Sequence, residues 1–411
     1  MGTSESTLRL MMSDEASATD NNRLANLAEE YTGGRSTSLA YLDEEMSVTE
    51  RRVSLTESRL SVSTLLQRRS VEEELHLLDV QTLHNLPEEF HEKTFPVVHK
   101  KWAIIFNIVH GSIWGVVARK GLNELTGYGG YLGGVVWSNF AACIIMGMLL
   151  NSERFWVNLG DAKGAIPLYA GFTTGFCGTF SSFSSMITEA FTEAVKTRGY
   201  PNSGYGVMEF FSVIISQIAI SSTGFQIGGH IIEQFDDFIP EISQRHYQIL
   251  ELFLVVAGIV LFIVDVILIG VLPSSRSWTF AILFAPFGAL SRFYLSKFLN
   301  QLCEYFPLGT FAANSIGSLL LAVFMLLGQG RRALSDTPIA STVISCHVLV
   351  GLDDGFCGAL TTVSTFIVEL HTLKTIKAYL YGVTSIVVSF GLVVVTLGSY
   401  NWTHGLTNLV C

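Results

Sequence analysis

Residues 175–185 read GFCGTFSSFSS and residues 355–365 read GFCGALTTVST. In both places glycine, hydroxyl and aromatic side chains interrupt an apolar stretch long enough to span a bilayer. No nucleophile–base pair, phosphate-binding loop or His/Asp cluster accompanies them, and His110, His347 and His371 are scattered. Catalysis is therefore not the chemistry they suggest. A polar group buried in lipid costs free energy unless it is paired, and such groups mark ion and solute paths. Asn139, Asn314, the hydroxyls of 181–185 and 361–365, and the rings of Phe183 and Phe366 are the candidates to line one. Small residues that let helices pack closely explain a single Gly/Ser cluster equally well. Recurrence in both halves of the chain favours the lined path.

The elements that position these residues follow from composition. The 411 residues are 49% hydrophobic and 15% charged, with a mean hydropathy of +0.43, which excludes an ordinary soluble domain. Nine apolar windows qualify as membrane helices, near 102–119, 131–150, 165–190, 206–228, 250–272, 279–299, 309–328, 340–370 and 378–399. The third and eighth are long and interrupted, which predicts broken helices with unwound backbone covered by protein or lining a cavity. Residues 1–98 contain no such window and are expected to be a disordered, acidic, Ser/Thr-rich tail. The first 100 residues carry 10 Lys+Arg and 18 Asp+Glu, a balance of 10 − 18 = −8 out of a net −10, so the membrane part is nearly neutral. RRVS at 51–54 and RRS at 68–70 look like basophilic-kinase sites, with Ser54 a candidate for modification. No cleavable signal peptide is read at the start, and the first membrane helix is expected to direct insertion. All six cysteines (Cys143, Cys177, Cys303, Cys346, Cys357, Cys411) are expected to be small packing residues rather than disulfide or metal ligands.

The windows repeat. Residues 175–190 and 355–370 are identical at 7 of 16 positions, GVVAR at 115–119 pairs with GALSR at 288–292, and WSNFAACIIMG at 137–147 pairs with AANSIGSLLLA at 312–322. Three matches in one order indicate internal duplication. The expected organisation is a first four-helix repeat over 99–230, a loop and linking helix over 231–275, and a second four-helix repeat over 276–411. One extra crossing between the copies inverts the second relative to the first. The fold class is thus an all-α membrane protein of nine transmembrane helices, two inverted repeats joined by a linking helix, with the third helix of each repeat broken.

GxxxR in each first helix, an Asn in each small-residue second helix, and GFCGxxTTxSTF with a trailing Glu in the third resemble the Fluc fluoride-channel family. The resemblance is specifically to their eukaryotic fused two-domain form, the fluoride export proteins (FEX). The resemblance covers about residues 102–399. It implies two pores flanking a structural Na+ held by backbone carbonyls at the two breaks, here Gly178, Ser181, Gly358 and Thr361; carbonyls suit a hard cation. It also implies pores lined by the second-helix Asn, by phenylalanines from both units, and by a polar track on the second and fourth helices. A phenylalanine ring edge carries positive quadrupole and so tolerates an anion. The resemblance further picks out Arg119 and Arg292, which anchor helix ends at the interface on a plainer reading, and the acids Glu189 and Glu369, whose role it leaves open.

The halves depart from that pattern differently. The first keeps Phe183 but has Met186 in place of the second ring; the second has Val363 in place of the first ring and keeps Phe366. If each pore draws one ring from each unit, Phe183 and Phe366 complete one pore and leave Val363 and Met186 to the other. Thr310 precedes Asn314 by one turn, and Tyr381, Ser385 and Ser389 share one face of the last helix. The second-helix offset gives Val135, and matching YGV at 205 to YGV at 381 gives Tyr205, Glu209 and Val213, as first-half counterparts; Glu209 repels an anion there, unless it lies at an exposed helix end. One working and one vestigial pore are expected.

The implied function is a passive fluoride channel exporting the ion across the plasma membrane, with the N-terminus cytoplasmic and the C-terminus external. Fluoride and membrane lipid are the expected partners; no nucleic acid and no obligate protein partner are expected. The main alternative is a proton-coupled small-solute transporter built on inverted repeats, with Asp265 or Glu209 as its proton site. Asp265 at mid-membrane costs about 2.5–3.5 kcal/mol on insertion scales. A membrane adaptor recruiting partners through its acidic tail is a third reading.

Overall fold

Backbone polar groups find no water inside a bilayer, so a chain this apolar must satisfy them within helices. The computed structural model, which describes residues 99–127, 133–159, 162–196, 201–332 and 337–411, is built in that way. Among the described residues there is no strand, only an isolated bridge between Arg331 and Pro338. The tail, with its Ser54 motif, lies outside the described residues.

The first half comprises α1 (Lys100–Thr126), α2 (Val136–Asn151), a broken third span, and α6 (Gly204–Phe235). The third span runs as α3 (Pro167–Ala170), a π-helical turn Gly171–Cys177, α4 (Gly178–Phe180), and α5 (Phe183–Lys196). The linking helix α7 (Gln244–Val271) follows. The second half repeats the order with α8 (Arg276–Leu299), α9 (Leu308–Gln329), a broken span and α13 (Thr375–Val393), which continues through a π turn into α14 (Ser399–Thr403). Its broken span is α10 (Val343–Gly351), a π turn Leu352–Cys357, α11 (Gly358–Leu360) and α12 (Ser364–Thr372). Seven described spans are long and apolar enough to cross a membrane; α2 is shorter and the first-half third span is divided by its break.

In both halves the first helix lies along the broken helix, and the fourth packs on the second and third. Gly115 and Gly288 make the first contact possible, because a methyl group there would collide with the carbonyl oxygens of Phe176 and Phe356. The linking helix packs chiefly against α1 and α8 and leaves Phe253, Val256, Val260, Ile263 and Ile267 exposed, the pattern of a span facing lipid. Asp265 turns inward from it, and neither carboxylate oxygen has a partner among the described residues.

The cysteine expectation needs one correction. Cys346, in the first turn of α10, is disulfide-bonded to Cys411. Thr407 donates to the Gln329 carbonyl from its backbone N–H (2.7 Å) and its hydroxyl (2.8 Å), and so brings the last residues across the end of α9. The two thiols are 65 residues apart in sequence, so only the folded path of the C-terminal segment makes them neighbours. Cys143, Cys177 and Cys357 are buried and free, and Cys303 is half-buried and free.

Candidate functional site: two interlocked helix breaks

At Ser181 and Thr361 the backbone leaves the helix for an extended conformation (ψ 155° and 153°). Each break orphans carbonyls above it and N–H groups below it, and the centre of a membrane protein offers few partners. The N–H groups are satisfied by the second helix and by the opposite half. Ser182 N–H donates to Asn139 Oδ1 at 2.8 Å, and Thr362 N–H to Asn314 Oδ1 at 2.9 Å. Ser184 N–H donates to Thr361 Oγ1 at 3.0 Å, and Ser364 N–H to Ser181 Oγ at 3.1 Å. Each hydroxyl thus caps the lower helix of the other repeat, a reciprocal exchange with the logic of a twofold interface. That is the structural reason for hydroxyl residues at these positions.

The carbonyls are taken by arginine. Arg119 donates to the carbonyls of Thr179 and Asp354, and to that of Gly358 at 2.8 Å. Arg292 donates to Ala359 O at 3.0 Å and Thr174 O at 2.7 Å. Both arginines are 2% exposed and reach into the opposite repeat, so they are central tethers and not interfacial anchors. The GxxxR motif reads as a glycine that lets the helix ride on the break and an arginine one turn later that reaches it.

This placement bears on the expected sodium cage. Of its four carbonyls, Gly358 O and Ser181 O already accept from Arg119, the second weakly at 3.5 Å. Two unit positive charges about 4 Å apart repel by about 4 kcal/mol at an effective dielectric of 20. Gly178 and Gly358 carry no side chain because the guanidiniums of Arg292 and Arg119 lie against them. A sodium ion in the cage of Gly178, Ser181, Gly358 and Thr361 would therefore have to share Gly358 O and Ser181 O with the Arg119 guanidinium, while Gly178 O and Thr361 O accept from neither arginine.

In the second half the polar candidates converge. Thr310 Oγ1 donates to Glu369 Oε1 at 2.5 Å and Tyr381 OH to Glu369 Oε2 at 2.6 Å. Ser385 and Ser389 continue the buried face, with the Ser389 and Ser315 hydroxyls 3.3 Å apart. Asn314 Nδ2 makes a long bond to Thr362 O at 3.3 Å. The Phe183 and Phe366 rings meet edge-on with centroids 5.1 Å apart, and Phe366 lies 5.3 Å from the Tyr381 ring. Glu369, unassigned from the sequence, is the hub of this group. Ser315 had no signal beyond its place beside Asn314.

The first half is arranged otherwise. Val135, Met186 and Val363 are buried in one apolar cluster with Phe183 and Phe366. Asn139 Nδ2 donates to Gln217 Oε1 at 2.9 Å, and Gln217 Nε2 donates to Glu189 Oε2 at 2.8 Å. The fourth-helix correspondence read from YGV requires correction. Tyr205 is half exposed, Glu209 and Val213 are only partly buried, and the residue opposite Glu189 is Gln217, 217 − 205 = 12 positions further on. Gln217 is the fourteenth residue of α6, whereas Tyr381 is the seventh of α13, so α6 runs two extra turns before it enters the packed region. The same shift makes Ser221 the repeat counterpart of Ser385 and Phe225 that of Ser389.

A pocket-forming pair of broken helices, cross-capped between two copies of one four-helix unit, defines the class: an internally duplicated, all-helical, multi-pass membrane protein. The family model "CrcB-like protein, Camphor Resistance (CrcB)" matches twice, over residues 106–224 and 279–399. The chain belongs to that family, in its fused two-domain form. It is 50% identical to Fluoride export protein 1 of Candida albicans, over 83% of this chain and 93% of that one. Fluoride export protein 1 of Saccharomyces cerevisiae is 32% identical over 67% of this chain and 86% of its own length. The Fluoride-specific ion channel FluC of Geotalea daltonii is 38% identical over 22% of this chain and 66% of that one, about one repeat. No solved structure gives a significant match.

Proposed function

We propose that the chain is a passive fluoride channel that exports the ion from the cytosol. The observation that carries this reading is the second-half track, where Asn314, Thr310, Ser315, Tyr381, Ser385 and Ser389 share a buried seam with the edge-on rings of Phe183 and Phe366. Fluoride holds its water strongly, so a path must replace that water with many weak donors that release the ion quickly. The Asn314 amide, the Ser315–Ser389 hydroxyl pair and the ring edges are such donors; the Thr310 and Tyr381 hydroxyls join them when they turn from Glu369, to which both donate. Hydrogen fluoride, a neutral weak acid, enters from acidic surroundings and dissociates inside. The negative-inside potential then drives the anion outward at about 2.3 kcal/mol per 100 mV, with no nucleotide required. The names of the fungal and bacterial relatives support the same substrate.

The second pore is vestigial in this reading. Gln217 takes one N–H of the Asn139 amide at 2.9 Å and ties it to Glu189, whereas the Asn314 amide makes only a long 3.3 Å bond to a backbone carbonyl, so the first-half asparagine is the more firmly engaged. Val135 and Phe225 stand where the other half has Thr310 and Ser389, and Val363 and Met186 replace ring edges with aliphatic surface. A proton-coupled transporter is disfavoured by the position of its two acids, since Asp265 sits on the linking helix and Glu209 near the start of α6, neither at a break. No step passes through sodium. The test is fluoride efflux from liposomes holding the purified chain: rapid electrogenic efflux at equal rates in sodium and sodium-free buffer is expected. Chloride flux without fluoride flux would overturn the channel assignment.

The N-terminus is cytoplasmic and the C-terminus external in the plasma membrane, a topology supported by the Cys346–Cys411 bond, because such bonds persist in oxidising compartments. The apolar outer faces meet lipid, and a single chain supplies both repeats. In intact cells carrying Cys303→Ser, an impermeant maleimide is expected to label the protein only after external reduction. Labelling that requires permeabilised cells would reverse the topology.

A further inference from the structure

Helix α9 starts after Pro307, whose side chain has no acceptor to offer the first N–H groups of the helix. Asn300, in the turn Asn300–Leu302 that closes α8, supplies one from outside. Its Oδ1 accepts from Gly309 N–H at 2.6 Å and from Thr310 N–H at 3.2 Å. A methyl group on Gly309 would collide with Leu295 O and Asn300 Oδ1, so only glycine permits this close approach. The same side chain turns its Nδ2 toward the hub of the second-half track. It makes a long bond to Thr310 Oγ1 at 3.5 Å and donates to the Glu369 carboxylate.

An amide and two hydroxyls thus share one carboxylate, and they differ in freedom. The Thr310 and Tyr381 hydroxyls each turn about a single bond, so either can swing its proton away from Glu369. The Asn300 amide cannot follow, because two backbone N–H groups fix its oxygen. A hydroxyl that accepts from an N–H must also aim its own proton elsewhere, toward the carboxylate or toward an anion in the path. The first half lacks this device. Asn300 is the eighth residue after Arg292, and the eighth after Arg119 is Gly127, which has no side chain. Glu189 accepts instead from the Gln217 amide at 2.8 Å and from the Val135 backbone N–H. Neither donor is a hydroxyl.

We propose that Asn300 is a positioning residue of the second-half path: its oxygen fixes the first turn of α9 while its amide stays on Glu369, so that the Thr310 and Tyr381 hydroxyls turn to a passing anion without stranding a buried carboxylate. The proposal rests on the fluoride-channel reading. A buried charge without partners is costly, so without the amide the hydroxyls stay on Glu369 and the ion loses two donors.

Fluoride efflux from liposomes holding the full-length chain tests it. Asn300→Asp keeps an acceptor for Gly309 and Thr310 N–H but has no N–H of its own, and it sets a second carboxylate against Glu369. It is expected to elute as folded protein and to conduct at least tenfold more slowly than the unaltered chain, the effect of about 1.4 kcal/mol on a barrier. Adding Glu369→Gln returns an amide to face the new carboxylate, with donor and acceptor exchanged, and is expected to raise efflux at least fivefold above Asn300→Asp alone. Helix capping by itself predicts no such rescue, since Glu369 takes no part in it. Asn300→Ser, which keeps a hydroxyl acceptor but is too short to reach Glu369, is the second variant should Asn300→Asp not fold, with the same tenfold loss expected. Efflux from either folded variant within twofold of the unaltered chain would overturn the proposal, as would a folded double variant no faster than Asn300→Asp. Unaltered protein that passes no fluoride refutes the channel reading itself, so the two failures are distinguishable.

Discussion

Alanine at Asn314 or Phe366 is expected to cut fluoride efflux by at least a hundredfold, while alanine at Val363 or Met186 leaves efflux per folded protein within about threefold. The asymmetry follows from what each side chain touches. Asn314 steadies the break through Thr362 N–H and keeps its amide weakly engaged, and Phe366 sits between Phe183 and Tyr381. Removing either strips a donor or a ring edge from the buried polar seam of the second half. Val363 and Met186 are fully buried in apolar surroundings, so truncating them opens a cavity at a cost of about 2–5 kcal/mol for the larger side chain. That cost lowers yield rather than flux. Efflux should therefore be normalised to monodisperse protein, and an equal loss from all four variants would sink the single-pore reading.

Arg119→Ala is expected to destabilise the chain by about 3 kcal/mol or more, because a buried carbonyl left without its donor costs about 1–3 kcal/mol and Arg119 serves several. Its effect reaches beyond its own repeat, since two of those carbonyls belong to the second. Arg119→Lys is expected to recover little of the loss: a single ammonium cannot fork across the carbonyls of both halves as a planar guanidinium does. The measurement is thermal unfolding of detergent-purified protein, with each kcal/mol worth roughly 2–4 °C in Tm for a domain of 150–250 residues. A lysine variant as stable as the original would show that charge alone, without the fork, holds the breaks together.

Much of this was legible in the sequence because the signals are local or repeated. Each of the nine apolar windows overlaps a described helical span, and both breaks fall at the interrupted GFCG segments, where glycine and hydroxyl residues weaken the helix. The duplication identified Asn139 with Asn314 and Arg119 with Arg292, which make matching contacts at the breaks, and Glu189 with Glu369, which take different partners, Gln217 in one half and Thr310 with Tyr381 in the other.

What failed was non-local. The YGV match rested on three residues and could not register the two additional turns of α6, so it pointed to Tyr205, Glu209 and Val213 when Gln217 faces the acid. The Cys346–Cys411 bond required the path of the C-terminal segment across α9. The arginines looked equally like interfacial anchors until their partners in the other repeat were known.

The sequence by itself therefore determined that this is a duplicated membrane protein with broken third helices, and which residue types meet at the breaks. Hydropathy, periodicity and internal repetition are properties of neighbouring residues and survive without a fold. Which carbonyl an arginine takes and which hydroxyl caps which helix depend on contacts between residues as much as 239 positions apart. Only the tertiary structure decides those, because the docking of one repeat on the other is what brings the partners within hydrogen-bonding distance.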